Sequence, residues 1–134
     1  MSTELEMIVR LLLAAALGAI IGFQREHAKK PAGLRTHILI ALGAALFTVI
    51  SVIGFTGNTD PSRVAAGIVA GVGFLGAGVI FRAMRADAPM GLTTAASVWV
   101  TAAIGMAAGV GLYLIAVVVT VISVVVLIIP SSKG

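Results

Sequence analysis

"GIVAGVGFLGAG", residues 67–78, carries five glycines in twelve positions and no charge. Within it, "GVGFLG" (71–76) spells G-x-G-x-x-G, the phosphate loop of dinucleotide-binding folds. That reading requires a strand before the loop and a helix opening at the third glycine. It also requires an acidic residue about 20 positions later, after a second strand. The glycines instead lie in the middle of Val64–Phe81, an uncharged apolar run with no alternating pattern. The stretch is therefore the interior of a membrane-spanning helix, and no nucleotide or other cofactor is expected.

The rest of the chain agrees with that reading. Sixty per cent of the 134 residues are hydrophobic and 10% are charged, against about a quarter charged in soluble domains. A span needs about 20 apolar residues. Five candidates follow in order, over 8–23, 34–55, 64–81, 92–109 and 112–129. An all-α polytopic membrane protein, one transmembrane domain over 1–134, is the class that fits. The chain has no cysteine, which excludes disulfides and thiolate metal sites. Its net charge of +4 comes from basic residues at the ends of apolar segments, so nucleic acid is not an expected partner. The apolar run near the N-terminus is preceded by Glu4 and Glu6 and followed by basic residues. This favours a retained first span over a cleaved signal peptide, and Thr3 with Glu6 reads as a capping box at its start.

The breaks are explicit. Gln24–Gly33 holds charges and Pro31; Thr56–Ser62 holds Gly57, Asn58, Asp60 and Pro61; Arg82–Gly91 holds two arginines, Asp87 and Pro89. Gly109, Val110 and Gly111 make the last two segments a helical hairpin. Five spans collect Arg25, Lys29, Lys30, Arg35, Arg82, Arg85 and Lys133 on one side and leave Arg10 and Arg63 on the other. The bias places the N-terminus outside and the C-terminus in the cytoplasm.

On a helical wheel the third span has two smooth faces. One carries Gly67, Gly71, Phe74 and Gly78, the other Ala66, Val69, Gly73, Gly76 and Ala77. Small residues let helix backbones approach closely in lipid. The expectation is a central third helix, contacted on both sides, with the bulky stripe Val64, Ile68, Val72, Leu75 and Val79 towards lipid. Gly18 with Gly22, and Gly105 with Gly109, repeat the spacing on other helices. Self-association through such faces is expected, with a dimer as the expected size.

"PAGLRTH" (31–37), "DPSRVAAGIVAGVGFLGAGVIFR" (60–82) and "GLTTAASVWVTAAIG" (91–105) resemble the MgtC/SapB family of bacterial inner-membrane proteins. The resemblance implies a five-helix membrane domain tied to adaptation to low magnesium and to survival inside host cells. For some members it implies action on the F-type ATP synthase. Two departures stand out. Longer members carry a soluble cytoplasmic domain after the membrane part, which a chain ending at Gly134 would lack. Many members read Glu-Arg-Glu after the first helix, where this chain has Gln24-Arg25-Glu26, which weakens any cation site there.

The residues themselves point away from catalysis and from metal. No nucleophile–base pair, P-loop or zinc motif is present. Mg²⁺ needs carboxylate and water oxygens in octahedral array. The five acids all lie outside the middle of the spans. His27 and His37 read as interfacial hydrogen bonders. Ser97 and Thr101 read as hydroxyls bonded back to their own helix. The candidate functional polar residues are Arg35, Asp60, Arg63, Arg82, Arg85, Thr93 and Thr94. The first, fourth and fifth are candidates to contact an anion, headgroup or partner, and Asp60 reads as a helix cap within reach of Arg63. The expected function is a non-enzymatic regulator or stress-adaptation factor, with a small oligomeric transporter or channel as the alternative.

Overall fold

The computed structural model describes residues 3–55, 57, 60–85 and 91–130, with side chains for all of these except Met84 and Arg85. Five α-helices follow one another: α1 (Thr3–His27), α2 (Leu34–Val49), α3 (Ser62–Arg85), α4 (Leu92–Gly109) and α5 (Tyr113–Ile128). A π-helical turn, Ile50–Gly54, continues α2. Four of the helical stretches are long and apolar enough to cross a membrane, and α5 is a shorter apolar helix of 16 residues. At 1.5 Å per residue α5 covers about 24 Å, and Leu112 and Ile129 extend its apolar length at either end.

The first span is longer than its apolar run. α1 passes straight through Gln24, Arg25 and Glu26 and ends at His27, so the first break begins at Ala28 and not at Gln24. It closes in a Schellman motif, with Lys29 N–H donating to the Glu26 carbonyl and Lys30 N–H to the Arg25 carbonyl. Lys29 takes the left-handed conformation, φ +59°, where glycine is the usual residue. The α4–α5 hairpin uses the same motif with the usual residue. Gly111 has φ +90°, and Leu112 N–H reaches the Ala107 carbonyl at 2.8 Å. Of the expected breaks, Thr56, Asn58, Thr59 and residues 86–90, Asp87 and Pro89 included, lie outside the described residues.

The centre of the bundle is α4, which touches all four other helices. Half of its apolar length is buried, against 17% for α3. This reverses the expectation that the third helix is central, and the glycines explain why. A Cβ at Gly18 would lie 2.6 Å from the His37 carbonyl oxygen, and one at Gly22 would lie 2.8 Å from Leu34 Cα. At Gly105 it would collide with the Ala41 carbonyl, and at Gly109 it would lie 2.9 Å from both the Ala45 carbonyl and Thr48 Cβ. Ala41 is thus clamped between Gly18 of α1 and Gly105 of α4. Main-chain contact on both sides draws α1, α2 and α4 into one tight layer.

On α3 the expected faces are partly inverted, although Leu75 of the stripe is exposed as expected. Ile68 and Val72, expected in the lipid stripe, are buried against Ala44, Val98 and Ala102, with Val64 packed beside them. The surface that α2 and α4 offer to α3 sets the alanines Ala44 and Ala102 among Ile40, Val98 and Met106. A glycine face set against Ala44 and Ala102 would leave a void there, and interiors do not keep one, so Ile68 and Val72 of α3 fill the space. Gly67, Gly71, Gly73 and Gly78 face away, and a Cβ added to any of them would meet nothing within 4 Å. Gly76 makes an ordinary contact with Ala95. An apolar groove of about 580 Å³ opens between α2 and α3, bordered by Gly43, Phe47, Gly67 and Gly71.

Candidate functional site

Five of the eight buried polar residues among those described, Arg25, His37, Thr94, Ser97 and Thr101, gather where the C-terminal end of α1 meets the N-terminal ends of α2 and α4; Thr48, Ser51 and Thr120 lie elsewhere. Helical spacing delivers the cluster. Ala14, Gly18, Ile21 and Arg25 share the buried face of α1; His37, Ala41, Ala44 and Thr48 share that of α2; Thr94, Ser97, Thr101, Ile104 and Ala108 share that of α4. Arg25, His37 and Thr94 bring a polar group of each face to the same end of the bundle.

Arg25 is only 2% exposed. One guanidinium nitrogen donates to Thr94 Oγ1 at 2.9 Å. Its Nε is enclosed without a hydrogen-bond partner, and no carboxylate pairs with it among the described residues. An unpaired buried charge costs several kcal/mol, which the hydrogen bond to Thr94 offsets in part. His37 is fully buried. Its Nδ1 lies 2.8 Å from the Gly33 carbonyl and its Nε2 lies 2.9 Å from Ser97 Oγ. Ser97 Oγ also sits 2.7 Å from the Thr94 carbonyl, and Thr101 Oγ1 donates to the Ser97 carbonyl at 2.6 Å. The back-bonding expected of Ser97 and Thr101 is present, but Ser97 has a second partner in His37.

The neighbours of Arg25 bind other helices. Gln24 Nε2 donates to the Leu127 carbonyl of α5 at 3.4 Å, and Glu26 Oε1 accepts the Leu34 N–H at the start of α2 at 3.3 Å. Gln24, Arg25 and Glu26 therefore reach α5, α4 and α2 in turn. Three adjacent side chains, about 100° apart around α1, fasten three different helices.

At the opposite end Arg10 joins α1 to the α4–α5 hairpin. It donates to the Gly109 carbonyl at 3.0 Å and pairs with Glu6 at 2.9 Å. A cation at the end of α4 suits the helix dipole. Asp60 Oδ1 accepts the Ser62 N–H at 3.0 Å and the Ser62 hydroxyl at 2.7 Å. With Pro61 in the turn that leads into Ser62, this is a capped start to α3. Those two bonds hold the Asp60 carboxyl below the usual carboxylate range. Arg63 offers Asp60 only its backbone N–H, to the Asp60 carbonyl. The described residues contain one ion pair, Arg10–Glu6, so the expected Asp60–Arg63 pairing does not form. Each side chain is exposed and solvated.

Of the candidate polar residues, only Thr94 enters the interior cluster. Thr93 is half-buried beside it; Arg35 and Arg82 are exposed at the same end of the bundle; the Arg85 side chain lies outside the described residues. Sequence reasoning counts Arg25 as a loop charge and His37 as interfacial, and misses both. The signal that finds them is the spacing of the small residues. Arg25 lies seven positions after Gly18, and His37 four before Ala41, so both continue a buried stripe.

Residues 11–132 match the MgtC family. The chain belongs to the MgtC family. Its relatives include the Escherichia coli K12 protein named "Putative magnesium transporter YhiD", 51% identical over 115 residues, which cover 81% of this chain and 53% of that protein. "Protein MgtC" of Brucella abortus is 49% identical over 108 residues, 81% of this chain and 44% of its own length. "Protein SrpB" of Synechococcus elongatus is 44% identical over 115 residues, 78% of this chain and 63% of its own length. The chain spans about half the length of the first two. No solved structure matches it. The family and the apolar helices together make the chain a multi-pass membrane protein.

Proposed function

We propose that this chain is a non-enzymatic protein of the bacterial inner membrane that serves adaptation to magnesium limitation by acting on a membrane partner. The F-type ATP synthase is the partner class the family resemblance offers. The observation that carries this reading is the sign of the buried charge. The interior polar cluster is built around Arg25, a cation, with hydroxyls and His37 around it. A path for Mg²⁺ needs oxygen ligands and favours carboxylates. A guanidinium at the same place repels a divalent cation and serves to hold helices. Membership of the MgtC family and the relatives' names support the link to magnesium.

A second reading, transport of magnesium by an oligomer, draws on the name of the Escherichia coli relative. One experiment separates the two. Purified protein is reconstituted into proteoliposomes holding a magnesium indicator, and a strain lacking the gene is grown in low magnesium with and without the wild-type chain. The regulatory reading expects restored growth and no Mg²⁺ flux above protein-free vesicles. Flux that scales with protein overturns it in favour of transport.

A further inference from the structure

Ser97 has one hydroxyl proton and two acceptors within reach, the Thr94 carbonyl at 2.7 Å and His37 Nε2 at 2.9 Å. The other ring nitrogen has no such freedom. Nδ1 lies 2.8 Å from the Gly33 carbonyl, and a carbonyl only accepts, so Nδ1 carries a proton in every favourable state. Nε2 is then the nitrogen that gains or loses one. With Nε2 bare, it accepts from the Ser97 hydroxyl. With Nε2 protonated, it donates to Ser97 Oγ, and the hydroxyl turns to the Thr94 carbonyl. Both arrangements use the same heavy-atom positions.

We propose that His37 is a buried proton-binding site, in which uptake of one proton at Nε2 reverses the His37–Ser97 hydrogen bond and redirects the Ser97 hydroxyl to the Thr94 carbonyl. The proton comes from water at the end of the bundle where Gly33 and Leu34 are partly exposed. No heavy-atom bond forms or breaks. A plain fastener would need only one of these states; an imidazole between a carbonyl and a hydroxyl provides for both.

The groups that face His37 make the proton consequential. From α1 comes Arg25, whose partner Thr94 also supplies the carbonyl that Ser97 turns to. The Glu26 carboxylate of α1 is engaged at Leu34 N–H, near the start of α2. α4 presents only the hydroxyls of Thr94, Ser97 and Thr101, and Arg35 on α2 itself is exposed. A proton on His37 thus places a second positive charge beside Arg25, at the joint of the three tightest-packed helices. Proton occupancy and the seating of α1 against α2 and α4 are coupled there.

The chain has two histidines, so His27→Gln, an exposed position outside the cluster, leaves one. The ¹⁵N resonances of the remaining ring are followed in detergent micelles across roughly pH 5 to 8. The expected result is a single transition in which Nε2 changes and Nδ1 keeps its proton throughout. Ser97→Ala moves the midpoint by roughly half a pH unit or more. Thr101→Ala, which removes a hydroxyl bonded only to its own helix, leaves the midpoint in place. A ring that does not titrate in this range overturns the proposal, as does loss of the Nδ1 proton. A midpoint unmoved by Ser97→Ala overturns it equally. The behaviour of the two ring nitrogens needs no change in the cluster, so the test stands even where Ser97→Ala lowers the folded yield.

Discussion

Asp60 and Arg25 show how differently one charged residue can be used in this chain. Asp60 is exposed and its carboxylate caps α3 through Ser62. Its carboxyl is held below the usual range by those bonds. The sign of the linkage follows. A depressed native value gives stability that is present above the ordinary carboxyl value, about 4, and is lost as pH falls through the native one. Thermal unfolding in detergent should therefore soften on going from about pH 5 to about pH 3 more in the wild type than in Asp60→Asn. Asn keeps the accepting oxygen and has no charge to lose. Parallel melting curves for the two proteins would show that the ionised cap adds nothing. The cap is legible in the sequence, because Asp-Pro before an apolar run has one common meaning. Arg25 is not. It stands in "GFQREHAKK", residues 22–30, where a run of charge reads as a loop. Only its register with Gly18 and Gly22 turns it inward, and register depends on how far α1 continues.

Among the elements, the glycine-rich helix is legible in the sequence, but the direction it faces is not. Two faces of α3 are smooth and one is bulky, and the pattern alone does not say which meets protein. That depends on what the neighbours present. α2 and α4 present Ala44 and Ala102 there, so Ile68 and Val72 of α3 fill the gap and Gly67, Gly71, Gly73 and Gly78 look outward. The G-x-x-x-G pairs on α1 and α4 need no such information, since Gly18 closes on the Ala41 side chain and Gly105 on the Ala41 backbone. The contrast gives a direct test within one protein. At Gly105 a methyl group meets the Ala41 carbonyl, and a main-chain atom cannot rotate away as a side chain can. Overpacking of this kind costs about 1–3 kcal/mol. Gly71→Ala adds its methyl group in open space and gains helix propensity worth up to about 1 kcal/mol. Gly105→Ala should lower the melting temperature in detergent, and Gly71→Ala should leave it level or raise it. If Gly71→Ala lowers the melting temperature as much as Gly105→Ala does, the outer face of α3 is in contact with something, and self-association through that face becomes the reading to pursue.

For the molecule as a whole, two ends of unlike chemistry sit on one bundle. At one end lie Arg25, Lys29, Lys30, Arg35 and Arg82, with His37 and the α4 hydroxyls sealed beneath them. At the other lie the Arg10–Glu6 pair, the capped start of α3 and the α4–α5 hairpin. Five helices with short connections alternate in direction, so the C-terminal ends of α1, α3 and α5 lie together at the basic end. Basic residues near the ends of spans are retained on the cytoplasmic side. On that rule the buried cluster is expected close to the cytoplasm, and the π-helical turn with Asp60 outside. This orientation can be checked without touching a charge. Cysteine is placed at Phe55, exposed just after the π-helical turn, or at Ala28, exposed just after α1; the chain has no native cysteine to interfere. A membrane-impermeant maleimide applied to intact spheroplasts should label Phe55→Cys at once, and Ala28→Cys only after the membrane is opened. The opposite pattern would put Arg25 and His37 at the outer surface. The proton that His37 is proposed to take up would then come from outside the cell, and any partner reading the basic end would have to be sought there and not in the cytoplasm.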